Sequence, residues 1–276
     1  MISDSVIQTL TYSDHFGFPL TAKEIYLRLI QTSCSRSSLQ QTLRSMIKTH
    51  QIVRTGEYYH LPRHRSLITR RESHAKISRS LLVRAKSLAS QLSPTHGLLA
   101  VYLTGSLAVA NADLSADIDF MLITDRGQLW TTRLLLTLYT EFFRLRRHPG
   151  SPHNSGKLCL NLYLTPDSYL LPPAKRSLYT AYELIQAVPL YDPYDTHSAL
   201  LAANPWINQY LPNFRLPKKS PQPVIHPRTP SIFENIAYHL QRLYMRKKLT
   251  REYVTQNAAF FHPDNPGEKV LRKLSL

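Results

Sequence analysis

Short apolar runs bounded by turn residues alternate along this chain with longer stretches in which apolar residues recur every three or four positions. Residues 98–103 and 118–124 form two such runs, and each predicts a buried strand. A third strand is predicted at residues 158–164. There the alternation puts four leucines on one face and Cys159, Asn161 and Tyr163 on the other. Helical spacing predicts helices over residues 3–16, 37–49, 70–92, 128–147 and 174–186. Thr21 and Glu24 stand at the spacing of a capping box, ahead of a stripe of Ile25, Leu29 and Ile30. Residues 52–54 and 58–60 flank a turn and predict a hairpin. A last helix aligns Phe233, Ile236, Leu240 and Leu243.

The chemistry concentrates between the first two strands. Thr104-Gly105-Ser106 closes the first strand, and Asp117-Ile118-Asp119-Phe120 opens the second. Alternate side chains of a strand share a face, so Asp117 and Asp119 project together, about 7 Å apart along the chain. Two carboxylates so placed can converge on one hard cation such as Mg²⁺ or Mn²⁺. Gly105 lets the backbone approach a triphosphate, and Ser106 adds a hydroxyl and an amide donor. Lys157, just before the third strand, is a further phosphate-binding candidate by position.

At these residues the chain resembles the DNA polymerase beta-like nucleotidyltransferases, whose signature is Gly-Ser, a spacer, then Asp-x-Asp. The resemblance implies an α+β fold with a mixed sheet. It also implies transfer of a nucleoside monophosphate from a nucleoside triphosphate to an acceptor hydroxyl, with Asp117 and Asp119 holding the metal and Gly105 and Ser106 the nucleotide. Such enzymes usually carry a third carboxylate on a later strand, and the matching residue here is Asn161. An amide oxygen can ligate a metal but is no base. Asp125 lies about 20 Å along the strand from Asp119, whereas Asp167, Glu183 or Asp113 could approach through a loop. The first 65 residues, three helices and a hairpin, resemble a winged helix-turn-helix, with Gln40, Gln41, Arg44 and Lys48 on the outer face of the third helix. The alternative expectation is a nucleic-acid-binding regulator whose degenerate core only senses nucleotide.

Composition bounds the rest. The 276 residues divide into a winged-helix-like region (1–65), a transferase core (66–214) and a proline-rich linker with a basic helical region (215–276). The net charge is +16, and the last region holds 12 Lys/Arg against 4 Asp/Glu, which favours nucleic acid as a partner. The same basic balance argues against an antibiotic-modifying enzyme, which would need an acidic pocket for its cationic acceptor. No apolar run reaches the ~20 residues of a membrane span, and the N-terminus lacks the build of a secretory signal, so a cytoplasmic protein is expected. Cys34 and Cys159 suggest neither a disulfide framework nor a zinc site. The glycine-rich loops of kinases, P-loop proteins and dinucleotide-binding folds are absent from the sequence.

Overall fold

The computed structural model describes residues 1–62, 66–148, 154–217, 231–246 and 253–261. The prolines from 221 to 230, together with Lys247, Lys248 and Arg251, lie outside the described residues. The architecture is mixed α+β. An N-terminal unit comprises α1 (Ile2–His15), β1 (Leu20–Thr21), α2 (Ala22–Leu27), α3 (Arg36–Lys48), β2 (Val53–Thr55) and β3 (Tyr58–His60). Its three strands form an antiparallel sheet in the order β1-β3-β2. The Thr21–Glu24 capping box forms as expected: Thr21 N–H donates to Glu24 Oε2 at 2.8 Å, and Glu24 N–H returns a bond to Thr21 Oγ1 at 3.3 Å. Val6, Leu10, Ile25, Leu39 and Leu43 fill the core of this unit, while Gln40, Gln41, Arg44 and Lys48 face outward on α3. Strand β1 is new relative to the sequence reading, because two residues carry no periodicity.

The second body is built on a six-stranded sheet. Its elements are α4 (Ser66–Leu92), β4 (Leu98–Leu103), α5 (Gly105–Ala108), β5 (Ile118–Thr124), α6 (Leu129–Phe142), β6 (Leu158–Leu164), α7 (Leu178–Gln186), β7 (Val188–Tyr191), α8 (Thr196–Ala202), α9 (Ile207–Tyr210), α10 (Ile232–Met245), β8 (Tyr253–Val254) and β9 (Ala258–Phe260). The strand order is β7-β4-β5-β6-β9-β8. Only β5 and β6 run parallel, joined by the crossover through α6; the other neighbours are antiparallel. Ile118, Phe120 and Leu122 pack on one face with Ala85, Leu88 and Leu92 of α4. Met121 and Ile123 pack on the other with Tyr182 of α7 and Leu200 of α8. No described helix is long and apolar enough to cross a membrane.

Three expectations are corrected. First, β6 does not keep four leucines on one face. Its pairing with β5 slips between Phe120↔Leu160 and Met121↔Leu162, so Asn161 is an extra, bulged residue. Before the bulge, Leu158 and Leu160 pack with the α4 layer; after it, Leu162 and Leu164 pack with the α7 layer and Tyr163 crosses to the α4 side. Second, α6 stops at Phe142 rather than running to residue 147. Arg144 adopts φ +53°, Leu145 N–H returns to Thr140 O at 2.7 Å, and residues 145–147 run beside β6, where Arg147 N–H donates to Leu158 O at 2.8 Å. Third, the C-terminal region is more than a helical tail, since β8 and β9 extend the central sheet next to β6. Its helix is also turned over: Phe233, Ile236, Leu240 and Leu243 are exposed, and α10 docks on α6 through Glu234, Ala237, Tyr238, Gln241 and Met245.

A buried carboxylate explains that orientation. Glu234 accepts from Trp130 N–H at 2.7 Å and from Thr131 N–H at 2.8 Å, capping the N-terminus of α6 from another helix, and Thr131 Oγ1 adds a bond at 2.7 Å. The helix dipole and the free amides of a first turn both favour an anion there. Gln241 completes the junction by donating to Trp130 O at 2.7 Å. Replacing Glu234 with Ala strands two buried amides, so Glu234→Ala is expected to cost about 3 kcal/mol of unfolding free energy in urea titration. A loss below about 0.5 kcal/mol, the scale of an ordinary surface change, would show that α10 docks by its other contacts.

Candidate functional site

The site forms where β4 ends and β5 begins. Thr104 N–H donates to Asp119 O at 2.9 Å, tying the turn to the neighbouring strand. Gly105 then takes φ +67°, and a Cβ there would meet the Asp119 carboxylate, with Asp119 Cγ only 3.2 Å away. Glycine is therefore required twice, by the backbone conformation and by the close approach. Asp117 and Asp119 do share a face of β5, and their oxygens lie with Cys159 Sγ within 4.8 Å of one another.

Around the aspartates the protein supplies its own partners. Asn161 Nδ2 donates to Asp119 Oδ1, so the amide at the bulge of β6 lies on the face that carries the aspartates. Cys159 Sγ donates to Asn161 Oδ1 at 2.7 Å, and Arg147 Nε pairs with Asp117 Oδ2 at 3.0 Å. Arg147 Nη1 also reaches Cys159 Sγ at 3.6 Å. Burial, and next Asp119, push the Cys159 thiol up to about 12, so it is a protonated donor and not a thiolate. Burial also raises Asp119, to about 7, with the Asp117 charge adding to it and the Asn161 amide opposing it.

A cleft of about 430 Å³ opens in front of this cluster. Gly105, Ser106, Asp117 and Glu183 line it from the sheet side, and Tyr12 and Arg28 from the N-terminal unit. The two bodies meet here: Tyr12 stacks on Tyr182 at 4.3 Å between ring centroids, and Tyr182 Oη donates to Arg28 O at 2.7 Å. Of the three carboxylates expected to approach through loops, Glu183 is the one that couples to Asp119, from α7 and not from a loop. Burial, then the Asp119 charge, raise it to about 7, against a stabilising bond from Tyr179. Asp113 lines the cleft but is held in its own turn by Ser115, at 2.9 and 2.7 Å. Asp167 pairs with Arg126 at 2.6 Å, and Asp125 lies at the far end of β5.

Lys157 is not brought to the cleft. Its ammonium donates to Arg144 O at the end of α6. Arg147 is the cation that reaches the aspartates instead. Its position in sequence, after a helix-like pattern, suits a helix-terminal charge equally well, and only the early stop of α6 frees it to run alongside β6.

The donor set fits a hard divalent ion. Mg²⁺ is commonly held by one or two carboxylates with the remaining positions filled by water and phosphate, and Asp117 and Asp119 provide such a pair. The thiol beside them adds no charge, and Asn161 adds none. Asn161→Asp replaces a donor to Asp119 with a third anion. The variant is expected to unfold at a lower temperature than wild type in chelator, and to show the larger upward shift when Mg²⁺ or Mn²⁺ is added. Equal shifts in a thermal melt would place residue 161 off the metal.

Glu183 generates a second prediction. Its folded value of about 7 lies above the ordinary value of 4.5, so the folded state holds this proton more tightly than the unfolded one. Its contribution is then fully present below pH 4.5 and is lost as pH rises through 7; Asp119 carries the same sign. Glu183→Gln removes that loss and should gain about 2 to 3 kcal/mol on wild type between pH 5 and pH 8. Urea midpoints at the two pH values measure it, and a constant difference would mean that Glu183 is not charged against Asp119. No protein-family model, curated protein or solved structure matches this chain, so the functional reading rests on the geometry of the site itself.

Proposed function

We propose that the chain is a Mg²⁺- or Mn²⁺-dependent nucleotidyltransferase that moves a nucleoside monophosphate from a nucleoside triphosphate to an acceptor hydroxyl. The observation that carries this reading is the contact between the Gly105 turn and the Asp119 carboxylate, beside Asp117, at the mouth of a cleft large enough for a nucleotide. In this reading Ser106 and the backbone after Gly105 hold phosphate oxygens, while Asp117 and Asp119 hold the metal. The metal, when bound, neutralises charge on the phosphoryl group as the leaving pyrophosphate departs. Glu183, raised towards neutrality and lining the same cleft, takes the proton of the acceptor hydroxyl, the task that a third strand carboxylate would otherwise perform. The N-terminal unit, with its polar outward face on α3, is read as a winged helix that contacts nucleic acid, in keeping with the +16 net charge.

Asp117→Asn with Asp119→Asn is expected to abolish transfer of label from radiolabelled nucleoside triphosphates into RNA, DNA, protein or small-molecule acceptor pools. Incorporation equal to wild type would remove the proposal. A specific feature supports a second reading, a nucleotide-sensing regulator with a degenerate core. Asn161 and Arg147 already engage the two aspartates, so the charge available to a metal is reduced. Calorimetric binding of Mg-nucleotide, with no product from any acceptor pool, would select that reading.

A further inference from the structure

Two cations line the cleft, Arg28 from the N-terminal unit and Arg70 from α4 of the sheet body. Arg28 ends α2, and Arg70 lies in the first turns of α4; both line the cavity that Gly105, Ser106 and Asp117 also line. Neither guanidinium has a hydrogen bond or ion pair to any described residue. Arg28 lies over the Phe18 ring at 5.4 Å, and Arg70 Nη1 abuts Gly17, 2.8 Å from where a Cβ would stand. The carboxylate nearest to Arg28 in sequence, Glu24, is already paired with Arg71 at 2.8 Å. Arg28 is also largely withdrawn from solvent, and burial works against its charge. A buried guanidinium without a partner is costly, and it acquires one when an anion enters the space it faces. Asp113, Asp117 and Glu183, all of the sheet body, line the same cavity.

We propose that Arg28 and Arg70 bind the phosphate chain of a nucleoside triphosphate held between the N-terminal unit and the Ser106 turn, so that the ligand site is shared by both bodies. This rests on reading the cleft as a nucleotide site and adds a role for the N-terminal unit within it. Guanidinium groups suit phosphate oxygens because they donate in a planar fork, and several around one polyphosphate bind additively stronger than one. Aromatic residues that line the same cavity, Tyr12, Phe16 and Tyr179, offer faces for a base.

The test uses the full-length protein with Mg²⁺ and three probes: inorganic tripolyphosphate, the four ribonucleoside triphosphates, and a single-stranded oligonucleotide of about twenty nucleotides, a length that spans a typical single-strand binding groove. Arg70→Gln, at an exposed position, is expected to weaken tripolyphosphate and triphosphate binding about tenfold, and Arg28→Gln by at least as much, with Arg28→Lys recovering part of the loss. Oligonucleotide affinity should stay unchanged. Thermal melting without ligand identifies any variant that fails to fold, and Arg70→Gln decides the matter if Arg28→Gln does. Wild type that binds neither tripolyphosphate nor nucleotide overturns the proposal. So do unchanged affinities in folded variants, or a loss confined to the oligonucleotide. Failure of the transferase reading is distinct: arginine-dependent nucleotide binding with no transfer product removes only the transferase, whereas transfer with an unchanged KM in Arg70→Gln removes only the shared site.

Discussion

A carboxylate drawn into the interior at Asp119 is the constraint around which the site is organised. An ion there loses its hydration, and the surrounding chain must replace it or let the group take up a proton. The protein does both. Asn161 donates an amide and Thr104 fastens the backbone, yet the group stays well above the usual carboxylate range. The same carboxylate forbids a side chain at position 105, and, after burial, its charge adds to the upward shift of the neighbouring Glu183. Glycine in the turn, an amide in the bulge and a raised acid on α7 all bear on this one carboxylate, although the φ of Gly105 and the burial of Glu183 act beside it.

The parts of this arrangement written in local sequence are the parts that periodicity can see. The strands holding Asp117 and Asp119 are apolar runs with turn residues at their ends, and alternation alone puts the two carboxylates together. The capping box at Thr21 is legible for the same reason, because its partners are three residues apart. The bulge at Asn161 is not legible. Counting alternation through residues 158–164 assumes one residue per step against the neighbour, whereas the partner strand advances from Phe120 to Met121 while β6 advances by two. The leucine pattern is identical with or without that slip. Only the packing of Leu162 and Leu164 against the α7 layer distinguishes them.

Arg147 escapes a sequence reading for a related reason. Residues 143–147 keep helical composition, and cations near a helix end already have a physical explanation in the dipole. What redirects them is Arg144 in a left-handed conformation, followed by backbone pairing with Leu158, a contact that depends on where β6 lies. The outward face of α10 follows the same logic. Its amphipathic stripe correctly predicts a helix but misidentifies the buried side, since the side that packs carries Glu234, which accepts from the amides at the start of α6.

The cleft itself is a product of long-range assembly, and its electrostatic character could not come from either body alone. The sheet side carries carboxylates that would repel a polyphosphate without a metal between them. Arg28 of the N-terminal unit and Arg70 near the start of α4 would attract it without one. A ligand that is polyanionic and metal-bound satisfies both walls at once, whereas a neutral ligand satisfies neither and a free cation only one. The stacked Tyr12 and Tyr182 rings and the bond from Tyr182 to the Arg28 backbone join the N-terminal unit to α7 beside the cleft. The orientation of the N-terminal unit thus sets where the second half of the charge pattern stands, and a substitution at that junction would alter ligand binding without touching any residue of the Gly-Ser and Asp-x-Asp motif.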